Sequence, residues 1–189
     1  MTVNKNTTAA SKTEHFWYAL YTRPRFEKKV DKELRDLHIE TFLPLKKVTK
    51  FWSDRKKVIK EPLFPSYVFV YANLKERLRA YQPRGVVRMV SFNGRPTRIP
   101  EDQISAVRRI LESGYTPVLY PYLSIGDEVE IVSGALVGLK GFVIENRGKN
   151  HFIVSIDGIC QSVAVNIDAR HLKLISKRQL KETQRNYIL

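Results

Sequence analysis

A chain of 189 residues with 43% hydrophobic and 11% aromatic content can build one ordinary domain or two small ones around packed cores, which excludes global disorder. Its net charge of +14 points to a polyanionic partner or a partner surface of negative potential. The single cysteine, Cys160, excludes an internal disulfide framework, and no apolar run reaches the roughly 18 residues that cross a bilayer, so a cytoplasmic protein without a membrane partner is expected.

The charge is unevenly spread. Residues 1–122 hold 24 Lys/Arg against 12 Asp/Glu, residues 123–175 hold 5 against 6, and residues 176–189 hold 4 against 1. Residues 1–15 are polar, without the apolar stretch of a signal peptide, and are expected to form a disordered lead-in. Trp17 to Thr22 then reads as a first strand. Thr22 and Pro24 are expected to open a helix that buries Phe26, Val30, Leu34 and Leu37 and turns Glu27, Lys28 and Lys29 outward. A strand from Thr41 to about Phe51, a basic loop and a short strand near Lys57 to Lys60 follow. Ser66 to Tyr71, almost wholly aromatic and β-branched, reads as a central strand.

A short helix near Lys75 to Tyr81 leads to a strand from Val86 to Phe92 and a tight turn at Asn93-Gly94. Pro100, Glu101 and Asp102 open a helix that buries Ile104, Val107, Ile110 and Leu111 and stops at Ser113-Gly114. Connections this short exclude a doubly wound parallel sheet. They predict an α+β sandwich with a mainly antiparallel sheet over residues 16–114. Residues 115–123, with Pro117 and Pro121, read as a semi-rigid linker. Five β-runs then fall between residues 124 and 175, separated by glycine-bearing turns of which Asp157-Gly158 is the clearest. They predict a small five-stranded β-barrel with Cys160 in a strand, followed by a basic tail over 176–189.

Little in the chain suggests catalysis. His15, His38, His151 and His171 lack metal-ligand spacing, and no phosphate loop, dinucleotide fingerprint or nucleophile elbow is present. Glu101-Asp102 is explained by the helix dipole. No catalytic residue, metal or cofactor is therefore expected. Two constellations stand out instead. In Glu61 to Val70, Pro62 and Pro65 restrict the approach to the central strand, leaving Leu63 and Phe64 either as an exposed apolar knob or as buried strand residues. In Gly126 to Ile144, Val129 and Ile131 alternate with polar residues, while Gly134, Gly138 and Gly141 break the run where tight turns are needed.

The glycine-patterned stretch matches a KOW motif. With the Trp17 strand and the Glu61–Val70 stretch in this order, the chain resembles the NusG family of transcription elongation and antitermination factors over residues 16–175. The resemblance implies an N-terminal NGN domain over 16–114 and an SH3-like KOW domain over 124–175. It implies a monomer that binds the clamp helices of bacterial RNA polymerase through Phe64, Pro65, Tyr67 and Phe69, with Tyr18 in support. Tyr21 to Lys29, Trp52 to Lys57 and Glu61 to Pro65 resemble specialised paralogues of the RfaH and UpxY type, which serve surface-polysaccharide operons. A housekeeping NusG is the alternative. Leu78-Arg79-Ala80 departs from the His-Thr-Thr tripeptide with which RfaH meets the polymerase gate loop. In such paralogues Arg23, Arg25, Lys28 and Lys29 fall where non-template DNA is met, although a solvated helix face explains the same residues. Lys46 to Lys60 is the densest basic stretch and attracts phosphate without regard to sequence. Rho and a small-subunit ribosomal protein are the implied partners of the KOW domain. A ribosome-associated RNA-binding protein is the rival class, and the near-neutral charge of residues 123–175 argues against it.

Overall fold

The computed structural model describes residues 14–51, 55–122, 127–146 and 149–176. Its first part contains β1 (Phe16–Thr22), α1 (Glu27–Asp36), β2 (Glu40–Phe42), β3 (Leu45–Phe51), β4 (Lys56–Pro62), β5 (Tyr67–Ala72), α2 (Leu74–Arg79), β6 (Val86–Met89), β7 (Ser91–Phe92), β8 (Arg95–Pro96) and α3 (Glu101–Glu112). Its second part contains β9 (Val118–Pro121), β10 (Asp127–Ile131), β11 (Lys140–Asn146), β12 (Lys149–Ile156), β13 (Gln161–Asn166) and β14 (Leu172–Ser176). Every strand pairing among the described residues is antiparallel, giving the α+β class that the short connections predict.

The first sheet has the order β2-β5-β1-β6. Directly paired residues share a face, so the pairs Tyr18/Val70 and Leu20/Val68 point one way and Trp17/Tyr71, Ala19/Phe69 and Tyr21/Tyr67 the other. The first face packs against Val30 and Leu34 of α1. The second joins Ile104, Val107 and Ile110 of α3 in a separate cluster. Both faces are covered, which is why β5 reads as an unbroken apolar run rather than an alternating one. The second sheet has the order β14-β10-β11-β12-β13-β9. Its motif glycines behave as the pattern requires where they are described. Gly134 and Gly138 take φ of +88° and +82°, and a Cβ on Gly141 would lie 2.5 Å from the Ile153 carbonyl oxygen. Gly126 lies outside the described residues.

Several expected boundaries shift for physical reasons. Thr22 does not cap α1: it ends β1, its N–H donating to the Ser66 carbonyl at 2.8 Å. Arg25 then takes a left-handed φ of +67°, and the helix starts only at Glu27. Glu27 is buried rather than outward-facing, and its Oε1 accepts the Ser66 N–H at 2.7 Å. That bond anchors Ser66, itself left-handed at φ +64°, at the turn into β5. Glu27→Ala strands a buried donor and is expected to destabilise the fold by about 1–3 kcal/mol. A urea titration checks this, with Glu33→Ala, a partly exposed neighbour, as the near-neutral control.

The strand expected from Thr41 to Phe51 breaks at Pro44, which has no N–H for a ladder, and its carbonyl instead accepts from Leu63 N–H. Residues expected as a linker include β9, which pairs with β13 and makes the second sheet six-stranded. Asp157-Gly158 does not form a two-residue hairpin. A 3-10 turn occupies Asp157–Ile159, and Cys160, expected in a strand, is exposed beyond it at φ +49°.

Candidate functional site

The residues expected to meet polymerase divide between the two faces of the first sheet. Phe69 and Tyr67 lie on the face turned toward α3, and the Phe64 ring meets Phe69 edge-on with centroids 5.9 Å apart. Tyr18 projects from the opposite face into the α1 core, so it does not belong with them. The alternation of a strand forces this separation, because Tyr18 pairs with Val70 and not with Phe69. Pro65 is exposed at the edge of the group, and Tyr67 is half-buried. Burial pushes the Tyr67 phenol up from its ordinary value, with Tyr21 adding to the effect.

Phe64 is not an exposed knob. Phe64 and Phe69 are both 0% exposed. They belong to one continuous buried cluster with Leu63, Ile99 and α3 from the first part and Val129, Ile131, Phe152, Val154 and Ile159 from the second. The second sheet therefore shares with α3 the buried cluster that contains the aromatic face. Its Asp157–Ile159 turn packs against β1, and β12 packs against α3.

Polar contacts fix this seam. Gln103 Nε2 donates to Asp157 Oδ2 at 2.8 Å, and the Asp157 N–H donates back to Gln103 Oε1 at 3.2 Å. The Arg109 guanidinium donates to the Val137 carbonyl at 2.7 Å. Trp17 Nε1 donates to Glu101 Oε2, tying the start of α3 to β1. Gly158 sits so tightly on the first part that a Cβ there would be 3.0 Å from Ile99 Cγ1 and 3.5 Å from Thr97 Cγ2.

The second candidate group, Arg23, Arg25, Lys28 and Lys29, is exposed around the start of α1. Lys29 lies 3.9 Å from Glu33 and over the Phe26 ring, and Lys28 Nζ donates to the Lys60 carbonyl at 2.6 Å. The geometry therefore brings Lys28 to the root of the β3–β4 hairpin. No group of three or more His, Cys, Asp or Glu residues suited to a metal occurs among the described residues.

The profile of the family described as "Transcription termination factor nusG" matches residues 15–108. The transcription termination/antitermination protein NusG of Thermus thermophilus is 30% identical over 168 residues, covering 75% of this chain and 90% of that one. The chain belongs to the NusG family. NusG of Chlamydia trachomatis serovar D is 26% identical over 157 residues, covering 75% of this chain and 86% of that protein. The solved structure described as "Domain interaction in Thermotoga maritima NusG" aligns with 87% of this chain and 99% of its own at a TM-score of 0.52 and 21% identity, a likeness of fold. This NusG-family chain is thus a transcription termination/antitermination factor by descent. The seam of Gln103, Arg109, Asp157 and Gly158 was invisible in the sequence. None of the four departs from the pattern of its own element, and Gly158 reads as an ordinary turn glycine.

Proposed function

We propose that this chain is an elongation and antitermination factor that binds RNA polymerase through the aromatic face of its first sheet. Phe64 and Phe69 are the anchors, with Tyr67 and Pro65 beside them. In the arrangement described here residues of the chain's own second sheet pack in the same buried cluster as that face, so polymerase and the second sheet compete for it. The observation that supports this reading is the burial of Phe64 and Phe69, with Tyr67 half-buried beside them, in a cluster shared by two sheets, in a family of transcription factors. Aromatic residues clustered at the centre of a desolvated patch are what dominates binding energy at protein interfaces. The second sheet, freed from the seam, would be available to a protein partner such as Rho or a small-subunit ribosomal protein. Its near-neutral charge suits a protein surface better than RNA. The likeness of Tyr21 to Lys29, Trp52 to Lys57 and Glu61 to Pro65 to specialised paralogues supports action on selected operons rather than on most transcribed genes. Affinity capture of the tagged chain is expected to recover RNA polymerase. Recovery of ribosomal subunits alone would support the RNA-binding alternative. Genome-wide occupancy is expected at few operons, and occupancy of most transcribed genes would support the housekeeping role.

Arg23, Arg25 and Lys29 are assigned to non-template DNA. Replacing all three with alanine removes three phosphate contacts, each adding about 0.7 to the salt slope on single strands. The slope is expected to flatten by roughly two units, while affinity for isolated clamp helices stays unchanged and antitermination on the native leader falls. Loss of clamp affinity would move these residues to the polymerase interface. Full antitermination in the variant would leave them as a solvated helix face.

A further inference from the structure

A cleft of about 360 Å³ opens on the first part of the chain, between the start of β1, α2 and the β7–β8 hairpin. Three elements bring arginines to it. Arg77 comes from α2, three residues after Leu74 and so on the same side of that helix. Arg95 and Pro96 come from β8, turned back by Asn93 and Gly94 at left-handed φ of +49° and +74°. Arg98 is set by its neighbour Ile99, whose N–H donates to the Trp17 carbonyl at 2.9 Å in a bridge to β1. Ile99 and Trp17 face the core, so Arg98 turns to the side of Phe16 and Tyr18.

Two of the guanidiniums rest on aromatic rings. Arg98 Cζ lies 3.6 Å from the Phe16 ring centroid, and Arg77 Cζ lies 5.0 Å from that of Tyr18. Contact with a ring uses the flat face of a guanidinium and leaves the N–H donors around its edge for other acceptors. Arg77 Nε is buried and has no hydrogen-bond partner, a cost that an acceptor in the cleft would remove. Elsewhere the fold supplies such acceptors itself: Arg79 donates to the Leu37 carbonyl and Arg109 to that of Val137. Glu14 is the one carboxylate among the described residues lining the cleft, so the three arginines leave a surplus of two positive charges.

We propose that this cleft binds a small phosphate-bearing ligand, an ester or the free ion, with the phosphate held by Arg77, Arg95 and Arg98. A phosphate group carries about −1.5 to −2 charge at neutral pH and presents three acceptor oxygens, which matches the surplus. A lone carboxylate would meet half of it. The guanidinium fork also takes phosphate bidentately, which a lysine ammonium does not. Leu74, Pro96 and Phe16 give apolar surface for a small organic body, and the volume is near the lower end for small-molecule pockets. Phe16 and Tyr18 point away from the Phe64 and Phe69 side of the first sheet, so the inference stands independently of the polymerase-binding reading.

Isothermal titration calorimetry of the full chain with adenosine monophosphate, inorganic phosphate and adenosine tests it. The two phosphates are expected to bind and adenosine is not. Tighter binding of the nucleotide than of the ion supports an ester as ligand, and equal binding supports the free ion. Arg95→Gln/Arg98→Gln removes two charge-assisted contacts and is expected to weaken phosphate binding at least about tenfold. Arg95→Gln alone, at an exposed position, is expected to melt as the parent does and to lose at least about threefold, which keeps the test valid if the double variant unfolds. Glu14→Gln removes the opposing carboxylate and is expected to tighten binding. Failure of both phosphates to bind at millimolar concentration overturns the assignment. So does adenosine binding as tightly as its monophosphate, or unchanged affinity in the arginine variants. Tighter binding of a short polyglutamate peptide would also overturn it, by making the cleft a protein-docking surface.

Discussion

Gly158→Leu is expected to raise the affinity of the full chain for the polymerase clamp helices at least tenfold, although position 158 lies in the turn between β12 and β13 and not on the proposed binding face. A Cβ at Gly158 would already be 3.0 Å from Ile99 Cγ1, and the rest of a leucine side chain has no room between the turn and the first sheet. The backbone of Gly158 is not left-handed, so leucine introduces no strain into the turn itself. The substitution therefore acts at the seam and leaves both sheets intact. Apparent affinity scales with the fraction of molecules in the binding-competent state. A tenfold gain corresponds to about 1.4 kcal/mol removed from docking, roughly the strain of one overpacked contact. Circular dichroism should show both sheets retained, and the clamp-helix titration reads the gain.

Phe64→Ala is expected to act in the opposite direction once the seam is open. In the parent chain two effects compete, since losing the ring weakens the docked state and the polymerase contact together. In the Gly158→Leu background only the second remains, and loss of an aromatic anchor worth about 2 kcal/mol should weaken clamp binding roughly thirtyfold. The ring also packs on Phe69, so truncation in the parent should lower global stability by up to about 3–5 kcal/mol, a cost of the size found for core phenylalanines. Phe64→Leu keeps most of that volume and separates the two roles. Retained stability with lost clamp affinity marks an anchor, and parallel changes in both mark a core residue.

Much of the first sheet could be read from local pattern. The β-rich Trp17 stretch, the 3.6-residue spacing of Ile104, Val107 and Ile110, and the Asn93-Gly94 turn each carry their cause within a few residues. What could not be read depends on distant partners. Glu27 appears polar and outward until Ser66, 39 residues away, supplies the N–H that justifies its burial. Phe64 between two prolines leaves both readings open, because the cluster that buries it draws on α3 and on a sheet that begins more than fifty residues later. Resemblance groups Tyr18 with the aromatic face, and only strand register reveals that it points away. On the hairpin, the sequence displayed the lysines, but only pairing placed Lys47 opposite Lys60 and moved Glu61 to the other face.

Polymerase and the second sheet are expected to compete for one aromatic face. Hydrogen–deuterium exchange of the full chain, with and without saturating clamp helices, tests it most directly. Residues 63–71 are expected to stay protected in both states while the turn over 157–160 and the adjoining end of β13 become more rapidly exchanging on binding, because the clamp helices replace the second sheet. Unchanged protection of that turn at full occupancy would contradict it, since polymerase would then be bound elsewhere with the seam still closed.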